Sequence, residues 1–326
     1  MCEGILQIQP NLSTIREAQK YLAQYFAPTR LIAAPFLSQK TGKKVFLKLE
    51  TDLPTSSFKV RGAFWALAQQ MKRERVQEVV ASSTGNHGAA VAYAAKQFGI
   101  KARIFLPVNC NAVKRGRIAA LGAAIVESGG GDLASAFELA AEYAKQPGVY
   151  FLNDATDTDL PAGPATIGCE ILEQLPATSA IFVPMGDTAL IRGIAAAAKQ
   201  IASQVKIVGV QAERAPSYFL SWKEDKVVGT ETCDTIADGL ATRTPEAANV
   251  RDVKNLVDDV VLVSEEQMLR AIEVLLLEEH VLAEPAGAAS TAALLKSSAG
   301  CGDHVALVVS GANISREVLQ RTIGGA

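Results

Sequence analysis

Short runs of β-branched and aromatic residues alternate with alanine-rich stretches along almost the whole chain. Strands are predicted at residues 45–49, 79–82, 102–106, 124–126, 180–183, 206–210, 260–263 and 305–309. Helices are predicted at residues 15–26, 88–98, 132–145, 190–201, 265–279 and 286–295, with Ser264 capping the fifth. Several strands end directly before a glycine turn. This alternation is typical of parallel sheets flanked by helices, so we predict an α/β fold.

Length and charge indicate a protein of two domains that does not bind nucleic acid. A chain of 326 residues is long enough for two domains of roughly 100 to 200 residues each. The formal net charge is only -2, and no basic stripe is interleaved with aromatic residues, which argues against a nucleic-acid partner. No stretch approaches the ~20 apolar residues of a membrane span, and residues 1–10 lack the pattern of a secretory leader. We therefore expect a cytoplasmic protein.

The cysteines give no sign of a disulfide framework or a zinc site. They are odd in number and far apart, and they stand at Cys2, Cys110, Cys169, Cys233 and Cys301. We expect them to act as small buried hydrophobic residues.

A lysine among small residues is followed, about 25 residues later, by a hydroxyl-rich glycine turn. Lys59 lies in TSSFKVRGA (residues 55–63), and the turn is SSTGNHG (residues 82–88). A lysine at the start of a helix, with neighbours that leave room for a flat ring, can form a Schiff base with an aldehyde cofactor. The turn offers backbone N–H groups and hydroxyls to a carboxylate.

These two blocks, in their order and separation, resemble the serine/threonine dehydratase group of pyridoxal-phosphate (PLP) enzymes, which also contains serine racemase. Further blocks follow in the family's order: VPMGDTAL (183–190), DTIADGLA (234–241), EPAGA (284–288) and SGAN (310–313). The resemblance covers nearly the whole chain and implies the two-domain tryptophan-synthase-β-like fold (fold type II). It places a small domain at 78–150, inserted into a large PLP-binding domain formed by 1–77 and 151–326, with the cofactor in the cleft between them.

The resemblance also implies roles for single residues. Lys59 would hold PLP and later remove the Cα proton, and Phe58 would pack beside the pyridine ring. Asn86 would bond to the phenolic oxygen of the cofactor, although it could also simply shape the turn. The phosphate would be held by Gly186, Asp187, Thr188, Ala189 and Leu190. The substrate carboxylate would be held by Ser83, Thr84, Gly85, Asn86 and His87.

Three residues of the turn allow more than one interpretation. Ser83 and Thr84 could cap the following helix, a contribution of about 1 kcal/mol. Thr84 also matches a serine that, in serine racemase, exchanges a proton on the ring face opposite the lysine. It is therefore a second catalytic candidate, although its extra methyl group favours elimination over racemisation. His87 is expected to be structural rather than a general base, because the family uses the backbone here.

Ser310 matches the residue that faces the pyridine nitrogen in the family. A neutral hydroxyl there leaves the nitrogen largely unprotonated and the ring a weaker electron sink, which favours elimination. We therefore expect β-elimination of an L-3-hydroxy amino acid, such as threonine or serine, to a 2-oxo acid and ammonia. The alternatives are a racemase, a dehydratase of phenylserine or 3-hydroxyaspartate, and a non-catalytic PLP-binding protein.

The resemblance suggests a homodimer, and the chain ends soon after Asn313, without room for the regulatory domain of feedback-controlled relatives. A catabolic role is therefore expected. A nicotinamide-dependent oxidoreductase is the other generic α/β interpretation, because three glycines, Gly129, Gly130 and Gly131, precede a predicted helix. That segment lacks the full glycine spacing of a dinucleotide-binding turn.

The sequence departs from the family pattern in its phosphate loop. The loop is commonly four glycines, whereas here it contains Asp187 and Thr188. A carboxylate beside a phosphate is repulsive unless it turns outward, caps the next helix or meets Arg192. Thr188 is expected to compensate by donating its hydroxyl to the phosphate.

A second departure concerns a divalent-cation site that some relatives carry. Glu213 matches its first ligand, but the later positions are Ser217 and Phe219. Phenylalanine cannot bind a hard cation, so we expect no metal there.

Overall fold

The structure is a computed structural model that describes residues 9–83, 85–108, 112–129 and 133–324. The strands, numbered along the chain, are β1 (Leu31–Ala33), β2 (Lys44–Leu49), β3 (Glu78–Ser82), β4 (Lys101–Pro107), β5 (Ala124–Ser128), β6 (Val149–Phe151), β7 (Ala180–Pro184), β8 (Lys206–Ala212), β9 (Asp259–Val263) and β10 (His304–Val309). The helices are α1 (Leu12–Leu22), α2 (Pro35–Thr41), α3 (Lys59–Arg73), α4 (Asn86–Phe98), α5 (Ala112–Ala120), α6 (Leu133–Tyr143), α7 (Ala162–Gln174), α8 (Ala189–Ile201), α9 (Ser217–Glu224), α10 (Ala247–Leu256), α11 (Glu265–Leu277), α12 (Pro285–Lys296) and α13 (Arg316–Ile323).

The strands form two sheets. A six-stranded sheet has the order β1-β2-β10-β7-β8-β9, and a four-stranded sheet has the order β5-β4-β3-β6. All neighbouring strands are parallel except β1, which pairs antiparallel with β2 so that Leu31 lies opposite Lys48. The predicted α/β fold with parallel sheets is confirmed, and the antiparallel edge strand is an addition to it.

The central strands of the larger sheet are buried on both faces, as expected for strands between two helix layers. Along β7, Phe182 packs with one hydrophobic cluster, which includes Met268 of α11 and Ala288 of α12. Its neighbour Ile181 points to the opposite face, where α7 and α8 supply side chains such as Ile194. The alternation follows from the two-residue period of a strand.

The smaller sheet is also covered on both faces. Val79 of β3 packs with α4, whereas Val80 packs with Ala136 of α6. The α4 side continues into the rest of the molecule, because Phe64 of α3 and Val91 of α4 belong to the same cluster. Helix α3, which begins at Lys59, is therefore packed against the helix that covers the smaller sheet.

The local structure confirms one predicted helix cap and adds elements that were not predicted. Ser264 caps α11 through a capping box with Gln267, as predicted. The three-residue strands β1 and β6 were not predicted from the sequence, and neither was α7. Cys169 and Cys301 are buried and Cys233 is partly buried, whereas Cys2 and Cys110 lie outside the described residues. Among the described residues, none of the helices has both the length and the apolar character needed to span a membrane.

Candidate active site

A cavity of about 380 Å³ lies where strands of both sheets end. Segments that line the cavity follow directly after β3, β7 and β10, and another follows shortly after β6. Each predicted site residue that the structure describes lines this cavity: Phe58, Lys59, Ser83, Gly85, Asn86, His87, Gly186, Asp187, Thr188, Ala189, Leu190 and Ser310. Thr84 lies outside the described residues. The carboxyl ends of parallel strands are the usual ligand sites of open α/β sheets.

Lys59 is the first residue of α3, and its side chain is mostly buried. Its Nζ lies 2.5 Å from Oδ2 of Asp154 and 5.4 Å from the centroid of the Phe58 ring. Burial by itself would lower the pKa of Lys59, but the negative charges of Asp154 and then Asp187 outweigh burial and raise that pKa. With its pKa raised, Lys59 is an ammonium group that forms an ion pair with the Asp154 carboxylate.

Asp154 is a site residue that the sequence did not reveal. It lies three residues after β6, and no recognised motif surrounds it. Burial would raise the pKa of Asp154, but the nearby His87 and Lys59 lower it below its ordinary value. The Asp154 carboxylate is therefore ionised at neutral pH.

His87 is fixed by the backbone. Its Nε2 lies 2.9 Å from the carbonyl oxygen of Leu152, so this nitrogen must donate the proton. Nδ1 is buried, has no hydrogen-bond partner in the described part of the chain, and lies 3.8 Å from Oδ2 of Asp154. The backbone thus fixes one ring nitrogen of His87, and its structural role stays a prediction.

The turn before α4 is shaped by Ser83. The backbone N–H of Gly85 donates to Oγ of Ser83 at 3.2 Å, and Gly85 occupies the N-cap position of α4. Ser83 therefore does not cap the helix, which was one of the two interpretations left open for it. The corresponding question for Thr84 is outside the described residues.

Two of the sequence blocks converge on Asn86. Nδ2 of Asn86 donates to Oε1 of Glu284 at 2.6 Å, and Oδ1 of Asn86 accepts from Nδ2 of Asn313 at 2.7 Å. Asn313 also donates to the carbonyl oxygen of Thr55 at 2.9 Å and accepts from Arg117 at 2.9 Å. Glu284 and Asn313 belong to blocks that the sequence identified, but their contact with Asn86 could be seen only in the structure.

The loop between β7 and α8 approaches the cavity with its backbone. A Cβ atom on Gly186 would lie 2.1 Å from the carbonyl oxygen of Gly239, so the DTIADGLA block packs directly against the loop and requires a glycine here. Thr188 has φ 70° and ψ -8°, a left-handed conformation that is rare for a β-branched residue. Its hydroxyl donates to the carbonyl oxygen of Asp187 at 2.7 Å and accepts from Nε of Arg192 at 3.1 Å.

The carboxylate of Asp187 is held by a partner that the sequence did not suggest. Oδ1 of Asp187 accepts from the hydroxyl of Thr242 at 3.0 Å. Arg192 pairs instead with Asp252 at 3.1 Å, so the contact with Arg192, one of the three alternatives for the Asp187 carboxylate, does not form. The alternative of a helix cap is not seen either, because the N-cap residue of α8 is Thr188 and no side-chain capping hydrogen bond is made there among the described residues. Burial and the charge of Asp154 raise the pKa of Asp187 above its ordinary value.

The residues of the cavity fit a phosphate-bearing aldehyde. Lys59 supplies the amine, and the N-terminus of α8 presents unbonded backbone N–H groups to an anion. Ser310 is buried in the wall, and the hydroxyl oxygen of Ser82 is buried there with no hydrogen-bond partner among the described residues. The Asp187 carboxylate would repel a phosphate dianion, but the raised pKa of Asp187 favours its neutral form and so weakens the repulsion.

The residues matched to a cation site are engaged elsewhere. Oε1 of Glu213 lies 3.4 Å from Nζ of Lys296, and the hydroxyl of Ser217 donates to the carbonyl oxygen of Thr242 at 2.6 Å. Within the described ranges, no group of three or more His, Cys, Asp or Glu side chains is arranged to hold a metal ion. The absence of a metal stays a prediction. Gly130 and Gly131, from the nicotinamide alternative, lie outside the described residues.

Comparisons with known proteins agree on one family. The profile described as pyridoxal-phosphate dependent enzyme matches residues 22–311. The chain is similar to an L-threonine ammonia-lyase of Thermotoga maritima, with 38% identity over 96% of this chain and 78% of that protein. It is also similar to an L-threonine ammonia-lyase of Geobacter sulfurreducens, with 34% identity over 92% of this chain and 75% of that protein. Among solved structures, maize serine racemase superposes with a TM-score of 0.90 and 30% identity, over 96% of this chain and 97% of that one.

Proposed function

Because the chain belongs to the pyridoxal-phosphate-dependent enzyme family, we propose that it eliminates the β-hydroxyl of an L-3-hydroxy amino acid such as threonine or serine. The products are a 2-oxo acid and ammonia. The observation that carries the proposal is that Lys59, in contact with a carboxylate, lines the same cavity as the uncharged Ser310. The names of the two ammonia-lyase relatives point to the same activity.

The cofactor would be held by residues from several elements. Lys59 would bond to its aldehyde carbon and Phe58 would pack beside the ring. Asn86 would bond to the phenolic oxygen and Ser310 would face the pyridine nitrogen. The phosphate would be held by the loop formed by Gly186, Asp187, Thr188, Ala189 and Leu190. Bound PLP supplies an electron sink for negative charge at Cα.

The chain's own residues then perform binding and proton transfer. The substrate carboxylate binds at the turn formed by Ser83, Thr84, Gly85, Asn86 and His87, where α4 begins and its dipole favours an anion. Lys59, once released as an amine, removes the Cα proton through Nζ. The contacts of Asn86 with Glu284 and Asn313 keep the turn in place.

We also propose the division into a large domain, 1–77 and 151–326, and a small domain, 78–150. It is supported by the two separate sheets and by a cavity that lies at strand ends of both. The cytoplasmic location and the homodimer stay predictions from the sequence.

The proposal is tested by incubating the PLP-loaded protein with L-threonine, L-serine, phenylserine and 3-hydroxyaspartate. We expect 2-oxo acid formation from at least one of them to exceed D-amino-acid formation by about tenfold or more, which is roughly 1.4 kcal/mol in barrier. Lys59→Ala is expected to abolish both products while the circular dichroism spectrum is unchanged, because the variant loses an amine needed for chemistry.

Three results would contradict the proposal. Chiral chromatography showing the D-amino acid as the main product would make the protein a racemase. A PLP absorbance band that never responds to any of the four substrates would make it a non-catalytic binding protein. Full activity in folded Lys59→Ala would remove the mechanism.

A further inference from the structure

The carboxylate of Asp154 is in direct contact with the amine that performs the chemistry. Oδ2 of Asp154 lies 2.5 Å from Nζ of Lys59, although the two residues are 95 positions apart in the chain. Both side chains are mostly buried, with 17% of Asp154 and 15% of Lys59 exposed. A contact of this kind is charge-assisted and short, and it is screened little by solvent.

The backbone holds Asp154 in this place. The N–H of Leu152 donates to the carbonyl oxygen of Val80 at 2.9 Å, which extends the pairing of β6 with β3. Oδ1 of Asn153 accepts from the N–H of Ala155 at 3.0 Å and fixes the turn around Asp154. The carboxylate is therefore aimed at Lys59 by the fold itself.

The charges around Lys59 act in one direction. Three carboxylates face it, those of Asp154, Asp187 and Glu284, and each favours the ammonium form of Lys59. His87 faces Asp154 from α4 and favours the ionised form of that carboxylate. Asp154 also accepts a hydrogen bond from Nζ.

We propose that Asp154 is a positioning residue that stabilises the ammonium form of Lys59 and thereby affects cofactor loading and proton removal in opposite directions. Bonding of Nζ to an aldehyde carbon releases one water and uses the amine lone pair, so the ammonium must first give its proton to solvent. Asp154 slows that step. Removal of the Cα proton converts the amine to an ammonium, and Asp154 speeds that step because its charge stabilises the product of the transfer.

This inference rests on the proposed function for its second half only. Cofactor loading needs no substrate, so the first half is measured whether or not the protein is a dehydratase. A structural role for Asp154 predicts that a substitution slows both steps. The opposite signs therefore distinguish a charge effect from damage to the fold.

The test uses Asp154→Asn, which keeps the shape of the side chain and removes its charge. Loading of PLP onto the apoprotein is followed by stopped-flow absorbance from pH 6 to pH 10. We expect the pH midpoint of loading to fall by about one unit or more, so that loading at pH 7.5 is roughly tenfold faster than in the wild type. In the fully loaded variant we expect kcat for 2-oxo acid formation to fall about tenfold or more.

Two control variants separate charge from position. Asp154→Glu keeps a carboxylate and is expected to keep the loading midpoint near that of the wild type. Asp159→Asn changes the net charge equally in the same segment, but Asp159 pairs with Arg73 away from Lys59. It is expected to leave the loading midpoint unchanged.

An unchanged loading midpoint in Asp154→Asn would overturn the proposal, and so would slower loading together with slower turnover. If Asp154→Asn does not fold, competitive acetylation of the wild-type apoprotein replaces it. Mass spectrometry of the Lys59 peptide is expected to show a titration midpoint above that of an exposed lysine in the same digest, and a midpoint below it would overturn the proposal. A shifted loading midpoint in Asp154→Asn, combined with a wild-type protein that forms no 2-oxo acid, would count against the proposed function alone.

Discussion

Thr188 and Asp187 give the loop before α8 a chemistry that a run of glycines would not have. The left-handed backbone at Thr188 has a cost of order 1–3 kcal/mol for a β-branched residue. Its hydroxyl lies between the carbonyl oxygen of Asp187 and the guanidinium of Arg192, and this arrangement holds the residue in place. The hydroxyl is thereby positioned in the loop where a phosphate would bind.

The residue-scale prediction is that the hydroxyl of Thr188 turns from the carbonyl oxygen of Asp187 to the phosphate when PLP binds. Thr188→Ala should then weaken retention of PLP by about tenfold or more, because a charge-assisted hydrogen bond of about 1.5 to 3 kcal/mol is lost. Thr188→Ser keeps the hydroxyl and is expected to retain PLP like the wild type. Asp187→Asn is expected to bind PLP equally well or better, because a nearby negative charge is removed while Thr242 can still donate to the side chain. Equilibrium dialysis of PLP against the apoproteins measures all three affinities.

Unchanged affinity in Thr188→Ala combined with lost affinity in Asp187→Asn would show that the roles of the two side chains are reversed. In that case the negative charge of Asp187 would be needed in the loop, because the amide oxygen of Asn can still accept the hydrogen bond from Thr242.

Residues inside continuous sequence blocks could be assigned to the site from the sequence, whereas residues outside any block could not. Lys59 and Asn86 stand in blocks that predicted their roles, and both line the cavity. Asp154 follows a three-residue strand that is too short to show a period, and it reaches Lys59 only because β6 pairs with β3. Thr242 lies one residue beyond its block, and its bond to Asp187 depends on how two loops pack.

At the scale of elements, those with a clear sequence pattern were predicted and those without one were missed. Strands such as β7 and β10 are continuous apolar runs bounded by turns, so the sequence alone predicts that they are buried on both faces. Helix α7 was missed because buried small residues, including Gly163 and Gly168, obscure its helical period. These glycines let α7 approach α3 and α8 closely, since a Cβ on Gly163 would lie 2.4 Å from the carbonyl oxygen of Arg61.

A buried charge network fixes the first turn of α3, the element that carries Lys59. Arg61 of α3 bonds to Glu50 through Nε at 2.8 Å and to Glu170 of α7 through a terminal nitrogen at 2.5 Å. Lys48 of β2 completes the network with a contact of 2.6 Å to Glu170. All four side chains are nearly inaccessible to solvent, and their formal charges cancel. Burial would raise the pKa of Glu170, but Arg61 and Lys48 lower it below its ordinary value.

The element-scale prediction is that Arg61→Met destabilises the protein by about 3–5 kcal/mol, because two buried carboxylates lose their shared partner. Arg16→Met is the matched control. Arg16 also reaches α7, where it pairs with Glu173, but both side chains are about half exposed and the pair should contribute less than about 1 kcal/mol. The midpoints of urea unfolding measure both effects, and equal shifts in the two variants would mean that the buried network adds no stability.

At the scale of the whole molecule, the site joins the two sheets. Asp154 follows a strand of the smaller sheet and contacts Lys59 of α3, and Asn86 of α4 contacts Glu284 and Asn313, which flank elements of the larger sheet. Helices α3 and α4 pack together behind these contacts. The groups that would bind the cofactor are therefore also groups that hold the two parts of the molecule in register.

The whole-molecule prediction concerns pH. The pKa of Asp154 is lower in the folded protein than its unfolded value of about 3.9, so its ion pair contributes stability that is fully present well above pH 4. That contribution is lost as the pH falls through the folded pKa, because both states then bind the proton. Asp154→Asn should therefore lower the free energy of unfolding at pH 7, and the difference from the wild type should shrink steadily from about pH 5 downward. Urea unfolding of both proteins at pH 7, 5, 4 and 3 measures the difference, and a difference that stays constant over this range would show that Asp154 stabilises the fold through its shape and not through its charge.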